Sequence, residues 1–563
     1  MTEARIETCG RHSIALDVPP RLARRGVMLA DEARTMGIHI QAGKGSGKSR
    51  LMGRGIALND FKQGRPQVVL DPFGGITDNF LDGLARLAAR LVGDGQLSAD
   101  EQRRLWQRVR YVDMSAKGGY VVPFPLYYRL GQESLNDIAS RYLEAIRRLD
   151  PELKKAPILG WNALAKLGIP TGMVLAALNC QIGQAPSLLN QPKTWKERLQ
   201  HMAATTPDRG LRTAAEFFAG EYLLWQPQER ERAKSALETK LDMFTLDETM
   251  LATFGASQPG INWREVVDRR QTVLLDFRHE HNSEHRRFKM LWAFLYFLQF
   301  IKHRGRGRHR PVGLVIDELT ALYNFDIQAG TDIFAADLDE LVNQIARDFR
   351  VWLTLAHQEQ FQIDEKSHKT LMTMGTQILG VTSDFESAMT MAQQFFGIDP
   401  HRVKRYVPVW MAQPMWWPPE VIDEIPVEYT VEEQDRMAAD RFRHLGLFHF
   451  LVKPAKREGD FTGELIPMSA ANIDRGIWNN EALVADLRQR LTKRDGIPTE
   501  TVLAEIEQRQ ARFGLGRRLA RGEAGQPVQG VRDYATVDDR YEEDDDGFSS
   551  LREAKKAETA GAV

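Results

Sequence analysis

Ala42-Gly-Lys-Gly-Ser-Gly-Lys-Ser49 follows the short apolar run Gly37-Ile-His-Ile40 and precedes a stretch with helical patterning, Leu51-Met-Gly-Arg-Gly-Ile-Ala-Leu58. Strand, glycine-rich turn and helix in that order form the context in which such a loop binds phosphate. Glycines let successive backbone N–H groups turn inward around an anion, and the helix N-terminus behind them adds partial positive charge. In this reading Ala42, Gly43, Lys44, Gly45, Ser46, Gly47, Lys48 and Ser49 cradle a nucleotide phosphate chain. Lys48 reaches the β- and γ-phosphates and the Ser49 hydroxyl sits on Mg²⁺, so ATP and Mg²⁺ are the expected cofactors. Ala42 stands where a glycine is usual, one small residue for another.

A second motif turns a binding loop into a hydrolytic one. Pro311-Val-Gly-Leu-Val-Ile-Asp-Glu318 reads as a buried strand ending in two acids. Asp317, at the C-terminal end of a central parallel strand, completes the Mg²⁺ shell. Glu318 is expected on the other side of the strand end, where it polarises a water for attack on the γ-phosphate. An acidic helix cap would also welcome these residues, but the loop at 42–49 favours the catalytic reading.

Further apolar runs end at the mouth of a presumed parallel sheet: Val68–Asp71, Val109–Asp113 and Val273–Asp276, each closing on an aspartate, and Trp352–Ala356 and Ile378–Val381. Ligands of open α/β sheets gather at these carboxyl ends. Asp71, in Leu70-Asp-Pro-Phe-Gly-Gly75, either lines the nucleotide site or forms the turn before Pro72. The fold class is therefore α/β, a sheet carrying a phosphate loop that resembles the RecA-like sheets of P-loop NTPases.

The chain has 563 residues, 43% of them hydrophobic, and a net charge of −1. That length suggests two or three domains. Near-neutral charge excludes a uniformly basic nucleic-acid coat but leaves local patches open. Cys9 and Cys180 lie far apart without CxxC spacing, the usage of a reduced protein with neither a disulfide framework nor a zinc site. Met1-Thr-Glu-Ala-Arg-Ile-Glu-Thr8 shows no secretory signal. Met290–Ile301 is apolar but shorter than the roughly 20 residues that span a bilayer, so it reads as a buried core helix. A cytoplasmic location without a transmembrane segment is expected.

Residues 1–130 hold an N-terminal segment and the first part of the ATPase core, and 131–258 an all-α insertion in which Ser134–Arg148 and Gln228–Phe244 have helical periodicity. The second part of the core follows at 259–460, a helical extension at 461–530 and an acidic tail, read as disordered, at 531–563. Pro408–Pro419 is aromatic and proline-rich and reads as an ordered, buried loop, and Phe448–Val452 as one more strand.

Taken together, these motifs resemble the FtsK–HerA branch of P-loop motor ATPases, and most of all the soluble motor domain of type IV secretion coupling proteins. The likeness rests on Ala42–Ser49, Val68–Gly74, Ile261–Asp276, Val315–Glu318 and Ala346-Arg-Asp-Phe-Arg-Val-Trp-Leu-Thr-Leu-Ala-His-Gln358, and covers about residues 30–455. In that family an arginine-bearing helix leads into a strand ending in glutamine. The resemblance implies that Gln358 senses the γ-phosphate or its attacking water. It also implies that Arg347 or Arg350, three apart on a helix, reaches a neighbouring subunit as a trans arginine finger. Coupling proteins usually begin with transmembrane helices, and their Phe-Asn-Pro-Leu turn stands here as Pro123-Phe-Pro-Leu126.

The implied function is a homo-oligomeric, hexameric ring that hydrolyses ATP and translocates DNA through backbone phosphate contacts. The basic segment Lys302–Arg310, with Lys302 and four arginines, either holds phosphates or is a solvated connector. The alternative is a regulatory ATPase scaffold. A relaxase, nuclease or secretion-channel partner would then dock on the α insertion or the acidic tail.

Overall fold

The computed structural model describes residues 13–16, 27–149, 159–307, 309–322, 337–358, 363–411, 421–455, 465–469 and 479–512. Cys9, Arg308, residues 412–419 and the acidic tail lie outside them, and so does part of the helical extension.

Each short apolar run forms a strand. They are β1 (Ile38–Gln41), β2 (Gln67–Asp71), β3 (Val109–Asp113), β4 (Thr272–Asp276), β5 (Val312–Ile316), β6 (Val351–His357) and β7 (Thr376–Leu379). β8 (Val403–Trp410) and β9 (Val421–Glu428) make a separate antiparallel ribbon. β10 (His449–Lys453) and β11 (Ile466–Ser469) join the main sheet. That sheet has nine strands in the order β11-β10-β7-β1-β6-β5-β2-β4-β3. From β7 to β3 every neighbour is parallel, while β10 and β11 add antiparallel pairing at one edge. Most of these parallel strands are buried along their whole length because both sheet faces are covered.

Helical residues Lys48–Arg50, a π-type segment Leu51–Ala57 and Leu58–Lys62 run on without a break as α1. They are followed by α2 (Gly75–Gly93), α3 (Leu135–Leu149), α4 (Leu159–Ala177), α5 (Pro192–Thr205), α6 (Pro227–Thr245) and α7 (Ser283–Arg304). Among the described residues, 131–258 contains helices and no strand. Strand alternation divides the interior. Val68, Leu70, Val273, Leu275, Leu314 and Leu353 face one core, shared with α3, α6 and α7. Ile38, Ile40, Val69, Leu274, Val315 and Ala356 face the other, built on α1 and α2. The apolar run Met290–Ile301 lies inside α7, where Phe288, Trp292 and Tyr296 are fully buried. No helix among the described residues is long and apolar enough to cross a membrane.

Helices toward the C-terminal end include α8 (Phe385–Phe395), α9 (Val431–Arg443), α10 (Glu481–Asp495) and α11 (Thr499–Arg512). α8 and α9 close a small core of their own around Met391 and Phe442. α10 shields the far edge of the sheet: Asp495 accepts the Tyr111 N–H of β3 at 2.9 Å and Arg494 donates to the Val109 carbonyl. An edge strand treated in this way cannot recruit another chain.

The buried-loop reading of Pro408–Pro419 needs correction over its described part. Pro408 to Trp410 belong to β8, and Trp410 is 54% exposed. Pro408 and Pro426 are tolerated because each strand of a two-stranded ribbon has an unpaired edge that needs no N–H.

Candidate functional site

Parallel pairing puts the ends of β1, β6 and β5 side by side. Gln41 lies opposite His357, and Ile316 opposite Leu355. The chain turns after each of these strand ends, so Ala42, Gln358 and Asp317 begin three adjacent loops. The strand carrying Gln358 stands between the phosphate loop and the acid pair.

The loop's turn is built by backbone conformation. Gly45 and Gly47 have φ of 80° and 95°, a region open to glycine at little cost. Gly43 N–H donates to the Val381 carbonyl at 2.7 Å and Ala42 N–H to the His357 carbonyl at 3.2 Å, which anchor the loop to both neighbouring strand ends. Gly47 caps α1, so Lys48 and Ser49 open its first turn.

Lys48 Nζ lies 3.1 Å from Asp317 Oδ1 and 3.3 Å from Glu318 Oε2. All three residues are buried. Burial works against the ammonium charge, but Asp317 and then Glu318 outweigh it and hold the Lys48 pKa above its ordinary value. Ser49 Oγ donates to Asp317 Oδ2 at 3.0 Å. Gln358 Nε2 donates to Glu318 Oε2 at 2.6 Å, and Thr320 Oγ1 to Glu318 Oε1 at 2.5 Å. Glu318 does not point away from Asp317 as expected. Its φ of 57° turns the chain left-handed, so both carboxylates face Lys48. Such a backbone is uncommon for glutamate and is a feature of functional sites.

Asp71 had two readings, and its hydrogen bonds serve the turn. Its carboxylate accepts the backbone N–H groups of Phe73, Gly74 and Thr77 at 3.3, 2.7 and 2.7 Å. Burial, with Asp276 and Asp317 nearby, pushes its carboxyl up to about 7. The turn it shapes abuts the loop, since a Cβ on Gly75 would stand 2.9 Å from Ser49 Oγ. Arg278 locks the turn from outside by donating to Asp276, Asp78 and the Gly74 carbonyl.

Arg347 and Arg350 are not brought to this site. Arg347 lies in the short helix Ala346–Asp348, whereas Arg350 sits beyond that helix with φ of 54°, so they do not share a helix face. Both are exposed at the start of β6. Gln358 follows and Arg350 precedes that seven-residue strand, so at about 3.3 Å per residue they stand about 26 Å apart. The basic segment lies at the same lower edge. Arg304 donates to the carbonyls of Arg310 and Phe349, Arg310 to those of Val267 and Asp268, and Arg306 pairs with Asp348 at 3.0 Å.

The sequence reading missed a polar stripe beneath the loop. Gln377 Nε2 donates to the carbonyls of Leu371 and Met374, which leaves its Oε1 to accept from His39 Nδ1 at 2.5 Å. The neutral His39 ring then offers Nε2 as an acceptor, so His357 Nε2, 2.9 Å away, carries the proton. The two rings stack with centroids 5.0 Å apart. Polar residues inside otherwise apolar strands were the available signal.

The site fits Mg²⁺–nucleotide chemistry. Ser49 and Asp317 offer hard oxygen ligands on one side, and no group of three or more His, Cys, Asp or Glu among the described residues could hold a metal ion by itself. Mg²⁺ characteristically takes one or two protein oxygens and completes its shell with phosphate and water. Ser46 Oγ is buried without a hydrogen-bond partner in the same loop.

No family model and no curated protein sequence matches the chain. Among solved structures it is similar to the unbound bacterial conjugative coupling protein TrwBdeltaN70, at 13% identity and a TM-score of 0.48, covering 84% of this chain and 91% of that one. A plasmid coupling protein TrwB in complex with ADP and Mg²⁺ matches at 15% identity and a TM-score of 0.47, over 85% and 99% of the two chains. VirB4 of Thermoanaerobacter pseudethanolicus matches at 12% identity and a TM-score of 0.45, over 82% and 97%. Likeness at this level assigns no activity.

The histidine stripe makes a pH prediction. Burial above all, with His368 adding to it and the Gln377 hydrogen bond opposing, brings His39 down to about 4 from an ordinary 6.5. Between those values the unfolded chain takes up a proton that the folded chain refuses, so stability falls as pH falls. The full loss is about 3 kcal/mol. Urea unfolding from about pH 7 to about pH 4 should show a shallower pH slope for His39→Gln than for the wild type. Equal slopes would remove His39 as the titrating group.

Proposed function

We propose that the chain is an ATP-hydrolysing motor subunit that assembles into a ring, a hexamer in the simplest case, and moves DNA. One observation carries the hydrolytic part. Lys48, Ser49, Asp317, Glu318 and Gln358, from three adjacent strand ends, meet within hydrogen-bonding distance. Transfer of DNA in the manner of coupling proteins is the process suggested by the sequence motifs.

In this reading the loop N–H groups and Lys48 bind the phosphates, which compete with Asp317 and Glu318 for the ammonium. Ser49 and Asp317 would hold Mg²⁺, which would supply charge neutralisation. Freed of Lys48, Glu318 keeps its hydrogen bonds from Gln358 and Thr320, which orient it toward a water as general base. Gln358 touches the base and lies beside the loop, so it can hydrogen-bond the attacking water or report nucleotide state to the nucleic-acid-facing loops. Arg347 and Arg350 lie too far away to serve their own loop, so a finger role requires a neighbouring subunit.

Arg304 and Arg310 are occupied with backbone carbonyls, which favours the connector reading for them. Arg306 projects with a side chain 77% exposed and is the better candidate for a DNA phosphate. The scaffold alternative also has a supporting observation. Tyr406, Trp410, Ile422 and Ile425 on the β8–β9 ribbon are each more than half exposed. Apolar surface of that kind suits a protein partner.

Lys48→Ala should abolish hydrolysis. Glu318→Gln should still bind ATP but turn over about 10²–10⁴-fold more slowly, the usual contribution of a general base. Wild-type turnover by Glu318→Gln would relocate the base.

Subunit mixing tests the finger. A chain lacking both Arg347 and Arg350 side chains should be inactive alone and regain activity when mixed with Lys48→Ala chains. Absence of rescue at every ratio, with assemblies still forming, would make these arginines structural.

DNA should stimulate hydrolysis almost independently of sequence, and the stimulation should fall steeply with salt as phosphate contacts release counterions. Arg306→Ala should reduce the salt slope and leave basal turnover unchanged. An active, assembled preparation that ignores DNA at low salt would move the reading to the scaffold.

A further inference from the structure

The chain leaves the sheet after β7, builds α8, the β8–β9 ribbon and α9, and returns into β10. Both stems of this excursion touch the phosphate loop. The outgoing stem offers the Val381 carbonyl to Gly43 N–H at 2.7 Å, and on the return Phe448 N–H donates to the Ser46 carbonyl at 2.9 Å. Phe448 holds φ of 64°, a conformation that residues other than glycine, asparagine and aspartate rarely adopt. Its ring fills the space beside Gly47, where a Cβ would stand 2.0 Å from Phe448 Cδ1. The Arg50 guanidinium lies 5.3 Å from the centroid of the same ring.

Backbone strain, a hydrogen bond and a close ring contact thus converge on Ser46–Gly47, the turn directly before Lys48. Gly45 is the contrast: nothing lies within 4 Å of the place its Cβ would occupy. One shoulder of the loop is open and the other is held. A strained residue persists only where its surroundings over-determine it, and such outliers point to function.

We propose that Phe448 is a positioning residue for the phosphate loop. Its ring and N–H hold Ser46–Gly47 in the conformation that receives phosphate, and nucleotide affinity therefore depends on how the α8–α9 unit is seated. This rests on reading 42–49 as the nucleotide loop. A glycine-rich turn ordered in advance loses less conformational freedom on binding. By linkage, nucleotide stabilises the seated unit by the same factor that seating raises affinity.

The experiment uses the full chain with Phe448→Ala, Phe448→Gly and Phe448→Tyr, measuring Kd for a fluorescent MgADP analogue together with KM and kcat for ATP. Ala and Gly should each raise Kd and KM about tenfold through lost pre-organisation, with kcat changed less than about twofold. Tyr keeps the ring and should behave as the wild type. Glycine relieves the positive φ but supplies no ring, so its failure separates the ring from backbone strain. Melting without nucleotide checks folding, and binding is read well below the lowest transition. Wild-type Kd in Ala and Gly, or a fall in kcat at unchanged KM, overturns the proposal. A wild-type chain that binds no nucleotide overturns both it and the site reading, a result distinct from loss of contrast among the variants.

Discussion

A buried lysine ammonium between two carboxylates is the constraint on which this structure depends. Lys48 lies within 3.3 Å of both Asp317 and Glu318, and all three are nearly closed to solvent. A charge in such a place is tolerable only when it is paired and hydrogen-bonded. The partners come from strands that are not neighbours, because β6 separates β1 from β5. Bringing them together fixes the register of three parallel strands, the left-handed turn at Glu318 and the glycine cap of α1. The charged cluster is therefore also a statement of where the sheet must end.

The same logic extends down β1 and β6. Ile38, Ile40 and Ala356 fill the α1 side, while His39, Gln41 and His357 occupy the alternate positions. A parallel strand with both faces covered would ordinarily be apolar throughout. His39 and His357 are tolerated because they form a directed chain with Gln377, anchored by carbonyls at the end of the helix before β7. Polar pairing specifies alignment where hydrophobic packing alone would accept a slipped register.

What could be read from the sequence divides along local and non-local lines. The phosphate loop, the strand ending in Asp317 and Glu318, the α7 core helix and the parallel strand runs announce themselves through composition and period within a dozen residues. Asp71, Glu318 and Arg350 were harder because their meaning lies in backbone geometry. A carboxylate that caps the next turn, a left-handed glutamate and an arginine just past a helix end leave no periodic trace. The ribbon was missed because its prolines and exposed aromatics suggest a loop, and only pairing between β8 and β9 makes them strands. Phe448 reads as the start of a strand, and its contact with a loop some four hundred positions earlier exists only in three dimensions.

The two ends of the sheet carry different chemistry, and their separation has a consequence for assembly. Phosphate-binding and acidic groups collect at the carboxyl ends of the strands, as open α/β sheets dictate. Exposed Arg347 and Arg350 stand at the opposite edge, Arg350 about 26 Å from Gln358 along β6. An extended arginine side chain covers only a fraction of that distance, and β6 is a central strand buried over its whole length. No loop movement within one chain can close such a gap without dismantling the central sheet. These arginines therefore have no catalytic role in a monomer. Any such role belongs to a neighbouring subunit whose lower edge meets this chain's phosphate loop. The hydrogen bond from Arg350 to the His309 carbonyl would then tie the placement of a finger to the basic connector.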